Sequence, residues 1–295
     1  MPIEAMTFLG SSPIRQYVEG WDVERLTKLT ADAVSLARKE GLPVGFVTED
    51  TIRSRPETLD RLFRTAIDNG AWRLCLCDTV GHATPAGVRS LVRFARHVVW
   101  GAGMDGEVEL DWHGHNDRGL ALENAICAVE EGVDRVHGTA LGVGERVGNA
   151  AMDMLIVNLS LMGLHDHDTR ELVTYCRRAS EAIGVPIHAT YPLIGEDAFR
   201  TATGVHAAAV IKARNKGDDW LADRVYSGVP AGRFGLHQKI EIGPMSGASN
   251  VRFWLNQRGL SEEPAVVEAV FGLAKTTDHV LSDEEIMAAV RAAGG

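Results

Sequence analysis

The sequence predicts an α/β protein built from parallel β/α units, and three observations lead to that fold class. Five apolar runs that read as strands alternate with five amphipathic stretches between residues 3 and 163. Their repeat of about 30 residues matches the length of a βαβ unit. Polar residues cluster where the runs end, which is the edge at which parallel β/α folds bind ligands.

The predicted elements alternate along the chain. The strands cover residues 3–10, 43–50, 72–80, 106–114 and 134–142, and the helices cover residues 21–40, 56–69, 84–100, 117–131 and 150–163. From residue 169 onward the pattern is helical, with segments at 169–184, 195–217, 250–259, 262–274 and 282–293. Ser249 or Asn250 would cap the third of these segments. A closed (β/α)8 barrel needs eight strands, and this pattern supplies only five.

Composition limits the possible classes of function. The 295 residues carry a formal net charge of −10 and are 45% hydrophobic, which suits a large core and disfavours nucleic acid or an anionic membrane as partner. The four cysteines do not resemble a secreted disulfide framework, and the alternating Cys75 and Cys77 suit buried free thiols. We find no signal-peptide pattern and no apolar run of membrane-spanning length, and we expect a cytoplasmic protein.

Two histidines lie at the end of the fourth predicted strand, in the stretch DWHGHND. Alternate residues of a strand point to the same face, so His113 and His115 can reach one ion. The spacing alone leaves a metal pair and an ordinary polar strand end equally open. Asn149, in the glycine-rich GVGERVGNA, could complete such a site or could cap the following helix. We find no carboxylate at a matching strand end, although a divalent cation usually binds one.

Carboxylates also end two earlier strands. Glu49 and Asp50 end the second strand, and Asp78 and Thr79 end the third. Converging carboxylates can act as acid and base. Taken singly, each has a simpler interpretation, in which Glu49 is solvated and Asp78 braces its loop. We interpret His137, inside the fifth strand, as a structural polar residue.

Together these motifs resemble one enzyme family. The stretches HGHNDRGLALENA, GTALGVGERVGNA, VTEDTIRS and CDTVGHATP resemble the isopropylmalate synthase and homocitrate synthase family. The stretch YPLIGEDAFRTATGVHAAAVIK resembles the segment that follows the barrel in those synthases. The resemblance implies a partial (β/α)8 TIM barrel, limited to strands 4–8. Its catalytic domain would cover residues 1–190, and a helical subdomain would cover residues 191–295.

The resemblance also implies roles for individual residues. The ligands of a divalent metal, which would be Zn, Mg or Mn, would be His113, His115 and Asn149. The residues in catalysis would be Glu49, His206 and Tyr226. The residues in contact with substrate would be Thr79, Gly144 and Glu145.

The activity implied by the resemblance is condensation of acetyl-CoA, or a similar acyl-CoA, with a 2-oxo acid, as in amino-acid biosynthesis. The GVH motif at residues 204–206 favours a synthase. A lyase or aldolase of the same superfamily and a non-catalytic partner subunit stay open as alternatives. The family's first strand carries an Arg-Asp-Gly motif that we do not find here. We therefore expect a second short chain that supplies strands 1–3 with this Arg and Asp, and a dimer of the assembled pair.

An open sheet has a further consequence for the strand residues. Five parallel strands cannot close into a barrel, so one sheet face and two edges need a cover. We expect apolar strand residues to be among those left uncovered, with Phe46, Leu74, Leu76, Val108 and Leu110 as the candidates.

Overall fold

The computed structural model describes residues 3–294 and divides into two compact units, Met1–Asp166 and His167–Gly295. The first unit contains five parallel strands that pair in chain order, and they are Ala5–Gly10 (β1), Val44–Glu49 (β2), Arg73–Asp78 (β3), Glu109–Gly114 (β4) and Arg135–Val136 (β5). Sequential parallel pairing is the arrangement of a β/α-barrel wall. The predicted fold class, an α/β protein with five strands of such a barrel, is confirmed.

Six α-helices accompany this sheet in residues 3–166, and they are Pro13–Glu19 (α1), Val23–Lys39 (α2), Pro56–Asp68 (α3), Pro85–Gly101 (α4), Ala121–Glu130 (α5) and Met152–Leu161 (α6). Side chains of Ser12, Asp22 and Thr84 accept backbone N–H groups at the starts of α1, α2 and α4, where helix donors lack partners. Helices α2 to α6 were predicted. Helix α1 was not, because its seven residues include none that is buried and therefore give no core pattern.

The two faces of the sheet differ in polarity. Phe46, Leu74 and Leu110 are buried with residues of the helices in one hydrophobic cluster. Because strand residues alternate, the opposite face, which we call the inner face, carries Met6, Phe8, Cys75, Asp111 and His113. The expectation that Phe46, Leu74, Leu76, Val108 and Leu110 lie uncovered is therefore wrong, since all five are buried. Among the described apolar residues of the inner face, Met6 and Phe8 are exposed, and Phe8 has 74% of its surface exposed.

The fifth strand is shorter than predicted. It comprises only Arg135–Val136, and the chain turns out of the sheet into a 3-10 turn at Ala140–Gly142. Leu141 in this turn has a φ of 56°, a left-handed conformation that a strand cannot contain. The predicted helix at 117–131 also begins late, at Ala121.

The second unit is mostly helical. Its helices are Leu172–Ile183 (α7), Gly204–Asn215 (α8), Asp219–Ala222 (α9), Ala248–Asn256 (α10), Pro264–Thr276 (α11) and Asp283–Ala292 (α12). Two short strands, Arg200–Thr201 (β6) and Lys239–Ile240 (β7), pair in parallel. The predicted boundary after residue 190 placed α7 in the barrel domain, whereas the division by contacts places it here.

Two local predictions in the second unit are wrong. The predicted helix over 195–217 begins only at Gly204, because residues 200–201 form β6. The N-cap of α10 is Gly247, and Asn250 occupies the third helical position, where its side chain accepts the backbone N–H of Gly247.

No described helix is both long and apolar enough to cross a bilayer.

Candidate metal centre

The end of β4 brings two imidazole rings together. His113 lies beside Cys77 of β3, and the backbone N–H of His115 donates to the carbonyl of Asp78 at 3.1 Å. Nε2 of His113 and Nε2 of His115 are 3.3 Å apart. Burial, with the neighbouring His137 and His115 adding to it, lowers the pKa of His113 to about 4. His113 is therefore neutral at pH 7, the form in which imidazole binds a metal.

The loop after β5 folds back on this strand end. The backbone N–H of Asn116 donates to Gly148 O at 3.0 Å, and that of Ala150 donates to Gly114 O at 3.2 Å. His115 and Asn149 consequently form an isolated antiparallel bridge. The N-cap of α6 is Ala151, so the interpretation of Asn149 as a helix cap is wrong.

Gly144 makes room for the side chain of Asn149. A Cβ at Gly144 would lie 2.1 Å from Asn149 Nδ2, which no real contact allows. Asn149 Nδ2 donates to Val143 O at 3.2 Å, and this hydrogen bond fixes the orientation of the amide. Asn149 Oδ1 is buried without a hydrogen-bond partner among residues 3–294. The structure thus shows Gly144 in contact with Asn149.

These three side chains fit a divalent cation. His113 and His115 present facing nitrogens, and Asn149 presents a buried oxygen that no described residue satisfies. A buried acceptor without a partner is costly, so such an atom in a native fold calls for a ligand. Nitrogen donors with one oxygen suit Zn and, less strongly, Mn.

A second group of possible ligands lies one step deeper on the inner face. The ligand atoms of Cys75, Asp111 and His137 all lie within 4.8 Å of one another. Asp111 is fully buried, and its Oδ2 is 3.1 Å from His137 Nε2. The hydrogen bond between Cys75 and Cys77, together with burial, raises the pKa of the Cys75 thiol well above its ordinary value. Cys75 is therefore protonated at pH 7, whereas metal ligation needs the thiolate.

Asp111 already has positively charged partners. Arg73 Nη1 donates to Oδ1 at 2.6 Å, and Arg135 donates to Oδ2 from Nε at 3.0 Å and from Nη2 at 2.5 Å. Burial alone would raise the pKa of Asp111, but the hydrogen bonds from His137, Arg135 and Arg73 lower it. Because two guanidinium groups neutralise this carboxylate, we interpret the deeper group as an ion-pair network rather than a metal site.

Arg146 ties together the loops that surround the centre. Its guanidinium donates to Asp117 Oδ1 at 2.9 Å and to Asp117 Oδ2 at 3.1 Å, and its Nη2 donates to Thr79 O at 2.7 Å. Thr79 Oγ1 in turn accepts the backbone N–H of Asp50 at 2.8 Å. Four successive loops are thereby linked by side chains. Glu145 is exposed and lies 3.3 Å from Arg146.

The other predicted carboxylates have clear partners. Glu49 ends β2 on the inner face, and its Oε1 lies 3.3 Å from Arg15 Nε. Asp78 accepts the backbone N–H groups of His82 at 2.7 Å and Ala83 at 3.0 Å, which confirms that it braces its loop. Burial raises the pKa of Asp78, and these two hydrogen bonds oppose that effect.

His206 and Tyr226 meet in the second unit. Their rings stack with centroids 4.1 Å apart and planes inclined by 27°. Both side chains are exposed. The structure therefore brings the predicted pair into contact, and it places Glu49, Thr79, His113, His115 and Asn149 in the first unit.

Two residues near the centre escaped prediction. Asp111 lies two residues before His113, so the alternation of β4 could have placed it on the same face. Arg146 has a φ of 55°, a conformation rare outside glycine, and no sequence pattern signals that its side chain returns to Asp117.

Comparison with known proteins shows the family to which the chain belongs. A family model described as HMGL-like matches residues 3–178. The chain belongs to the HMGL-like family. Homocitrate synthase AksA of Methanopyrus kandleri is 34% identical over 249 residues, which cover 84% of this chain and 59% of that protein. A 2-isopropylmalate synthase of Solidesulfovibrio magneticus is 34% identical over 248 residues, covering 80% of this chain and 48% of that protein.

A further relative of this HMGL-like chain and two solved structures are also similar to it. A putative (R)-citramalate synthase of Methanosarcina acetivorans is 29% identical, covering 86% of this chain and 50% of that protein. The chain thus spans about half the length of the curated relatives it matches. Among solved structures, hydroxymethylglutaryl-CoA lyase from Pseudomonas aeruginosa superposes with a TM-score of 0.53 at 20% identity, over 61% of this chain and 63% of that one. The corresponding lyase from Bacillus subtilis gives 0.51 at 21%, over 62% and 64%, and both show a shared fold.

Proposed function

We propose that this chain acts in a metal-dependent enzyme that condenses an acyl-CoA, typically acetyl-CoA, with a 2-oxo acid. The observation that carries the proposal is the pair of imidazole nitrogens 3.3 Å apart beside the unpartnered oxygen of Asn149. The three relatives described above are named synthases, which supports condensation over cleavage. The lyases share only the fold, so they do not favour the reverse reaction.

The chemistry assigns a task to each side chain. A cation held by His113, His115 and Asn149 would supply Lewis acidity to the carbonyl group of the oxo acid. Glu49 would accept a proton from the α-carbon of the acyl group, which then forms the new bond to the keto carbon. The keto oxygen takes up a proton to become a hydroxyl, and water hydrolyses the thioester to release CoA and a carboxylate.

Thr79, His206 and Tyr226 complete this assignment. The hydroxyl oxygen of Thr79 already accepts the Asp50 N–H, so its own hydrogen is available to the oxo acid. His206 would exchange protons with the reacting oxygen, and the stacked ring of Tyr226 would hold the imidazole in place. We also propose that the active form is a dimer in which this pair serves the neighbouring barrel.

Further β/α units would complete the barrel, and we propose that a second chain supplies them. Strand β1 lies at the edge of the sheet, and Phe8 projects from its inner face with 74% exposure. Helix α1 adds an exposed face with Ile14, Tyr17 and Val18, of which Tyr17 is 90% exposed. Apolar groups on a free sheet edge mark a surface that another segment covers. That segment would also supply the Arg and Asp expected from the family's first strand.

The test is thiol release from acetyl-CoA with a panel of 2-oxo acids and added divalent metal. The chain would be co-expressed with a polypeptide of three β/α units that begins on an Arg-Asp-Gly strand. We expect Glu49→Gln and His206→Ala each to lower turnover at least about a hundredfold, with unchanged metal content. Glu130→Gln and His188→Ala are the matched controls and should retain turnover.

Two results would reject this proposal. Wild-type turnover by both active-site variants would remove the assigned roles. Cleavage of a 3-hydroxyacyl-CoA without any condensation activity would instead identify a lyase.

A further inference from the structure

Two adjoining clefts lie in the second unit, and none of the residues assigned above lines them. The larger, of about 360 Å³, lies between β7 and α10, and its lining includes Arg214, Gln238, Lys239 and Trp254. The smaller, of about 190 Å³, lies beside α7 and includes Arg177. His237 and Lys239 line both clefts, so the two spaces meet at this strand.

The clefts hold an excess of unpaired positive charge. Arg177, Arg214 and Lys239 have no carboxylate within 4.0 Å among residues 3–294. The three carboxylates that line the clefts are already engaged, with Glu196 and Glu241 at 3.5 Å and 3.0 Å from Arg200, and Asp283 at 3.0 Å from Arg258. In a chain of net charge −10, this local excess does not follow from composition.

Gln238 supplies a second, independent indication of a ligand. The residue is 4% exposed, it lines the larger cleft, and its Nε2 has no hydrogen-bond partner among the described residues. Its backbone carbonyl accepts Arg214 Nη2 at 2.7 Å, which joins the two side chains to one wall. A buried amide donor without an acceptor costs about 1–3 kcal/mol, and an anionic oxygen in the cleft would satisfy it.

The aromatic residues hold the guanidinium groups in place. Arg258 lies over the ring of Trp254 at 3.8 Å, and Arg214 lies near the ring of Phe253 at 5.4 Å. Stacked guanidinium groups lose less entropy on binding and present planar donors to phosphate or carboxylate. Lys239, between the clefts, provides a point charge that can contact anionic groups in both.

We propose that these clefts bind a small molecule carrying at least two phosphate or carboxylate groups, at a site that shares no lining residue with the metal centre. Two clefts that share Lys239 and are flanked by Arg177 and Arg214 match a multivalent anion better than a single anionic group. The buried Gln238 amide adds one directed contact. This site does not depend on the proposed condensation.

The test is calorimetry on the full chain, freed of metal by a chelator and at low ionic strength, with inorganic pyrophosphate and with citrate as probes. We expect wild-type binding of at least one probe. Lys239→Gln and Arg214→Gln should each weaken it at least about fivefold, the effect of one charge-assisted hydrogen bond. Arg291→Gln, which removes an exposed charge from the same unit, should change it less than about twofold. Tighter binding of pyrophosphate would assign a phosphate ligand, and tighter binding of citrate a polycarboxylate.

Gln238→Met separates a binding role from a structural one. Removing a buried amide that has no partner should maintain or raise the thermal midpoint, and it should weaken anion binding. The proposal is overturned if the wild type binds neither probe, or if Arg291→Gln weakens binding as much as Lys239→Gln does. Binding that is unaffected by Gln238→Met, Lys239→Gln and Arg214→Gln would overturn it as well.

Discussion

Oδ2 of Asp111 and Nε2 of His137 lie 3.1 Å apart, and the ring of His137 lies 5.7 Å from that of His113, which follows Asp111 by two residues on the inner face of β4. The first unit therefore carries two groups of possible metal ligands, an upper group of His113, His115 and Asn149 and a lower group of Cys75, Asp111 and His137. The two groups differ in whether their acceptor atoms already have charged partners. Arginines neutralise the lower carboxylate, whereas the upper group ends in an unsatisfied oxygen.

The lower network should contribute to stability. Asp111→Asn removes a buried charge and leaves Arg135 and the buried Arg73 with weaker partners. We expect a loss of about 3 kcal/mol in the free energy of unfolding, measured by urea titration. Asp60→Asn, which breaks an exposed ion pair with Arg64, should cost less than about 1 kcal/mol. Equal effects of the two substitutions would contradict the interpretation of a structural network.

Gly144 should affect the metal centre through Asn149. In Gly144→Ala the new methyl group would meet Asn149 Nδ2 at 2.1 Å, so the amide must move. We expect metal affinity to fall at least about tenfold, the scale seen when the orientation of a ligand is disturbed, while the fold is retained. Gly87→Ala in the same unit meets only an ordinary 3.4 Å contact and serves as control. Unchanged affinity in Gly144→Ala would remove Asn149 from the site.

The sequence predicted the parts of this arrangement that repeat with a fixed period. The period of two in β4 placed His113 and His115 together, and the β/α rhythm predicted five strands and most helices. The features that the sequence did not predict depend on the backbone conformation of single residues. Leu141 and Arg146 adopt left-handed φ values; Leu141 lies in the 3-10 turn that replaces the end of the predicted strand, and the Arg146 side chain contacts Asp117. Such residues carry no periodic signal, because tertiary contacts and not local propensity select their conformation.

The paired hydrogen bonds from Arg146 to Asp117 should couple the loop after β5 to the loop after β4. Arg146→Lys and Asp117→Asn each break the paired hydrogen bonds between these residues. Because the pair is partly exposed, we expect a coupling free energy of about 0.5–1 kcal/mol in a double-mutant cycle followed by urea unfolding. Additive effects of the two substitutions would show that the loops are independent.

The exposed Phe8 should matter for assembly and little for the chain alone. Phe8→Glu places a charge on the open inner face without removing a buried contact. Burial of one aromatic side chain contributes about 1.5–3 kcal/mol, so the affinity for a polypeptide carrying the Arg-Asp-Gly strand should fall at least about tenfold by calorimetry. The matched control is Trp100→Glu on α4, because Trp100 is another exposed aromatic residue, with 65% of its surface exposed. The same loss in both variants would contradict a specific surface at β1.

X-ray absorption spectroscopy of the zinc-loaded chain tests the metal centre most directly, because the two groups differ in sulfur. We predict a nitrogen and oxygen shell near ~2.0–2.1 Å with two imidazoles and no sulfur. Bound zinc should disappear in His113→Ala and His115→Ala and persist in Cys75→Ser and in the exposed His97→Ala. A sulfur shell near ~2.3 Å that is lost in Cys75→Ser, or zinc retained at full stoichiometry without His113 and His115, would contradict the account.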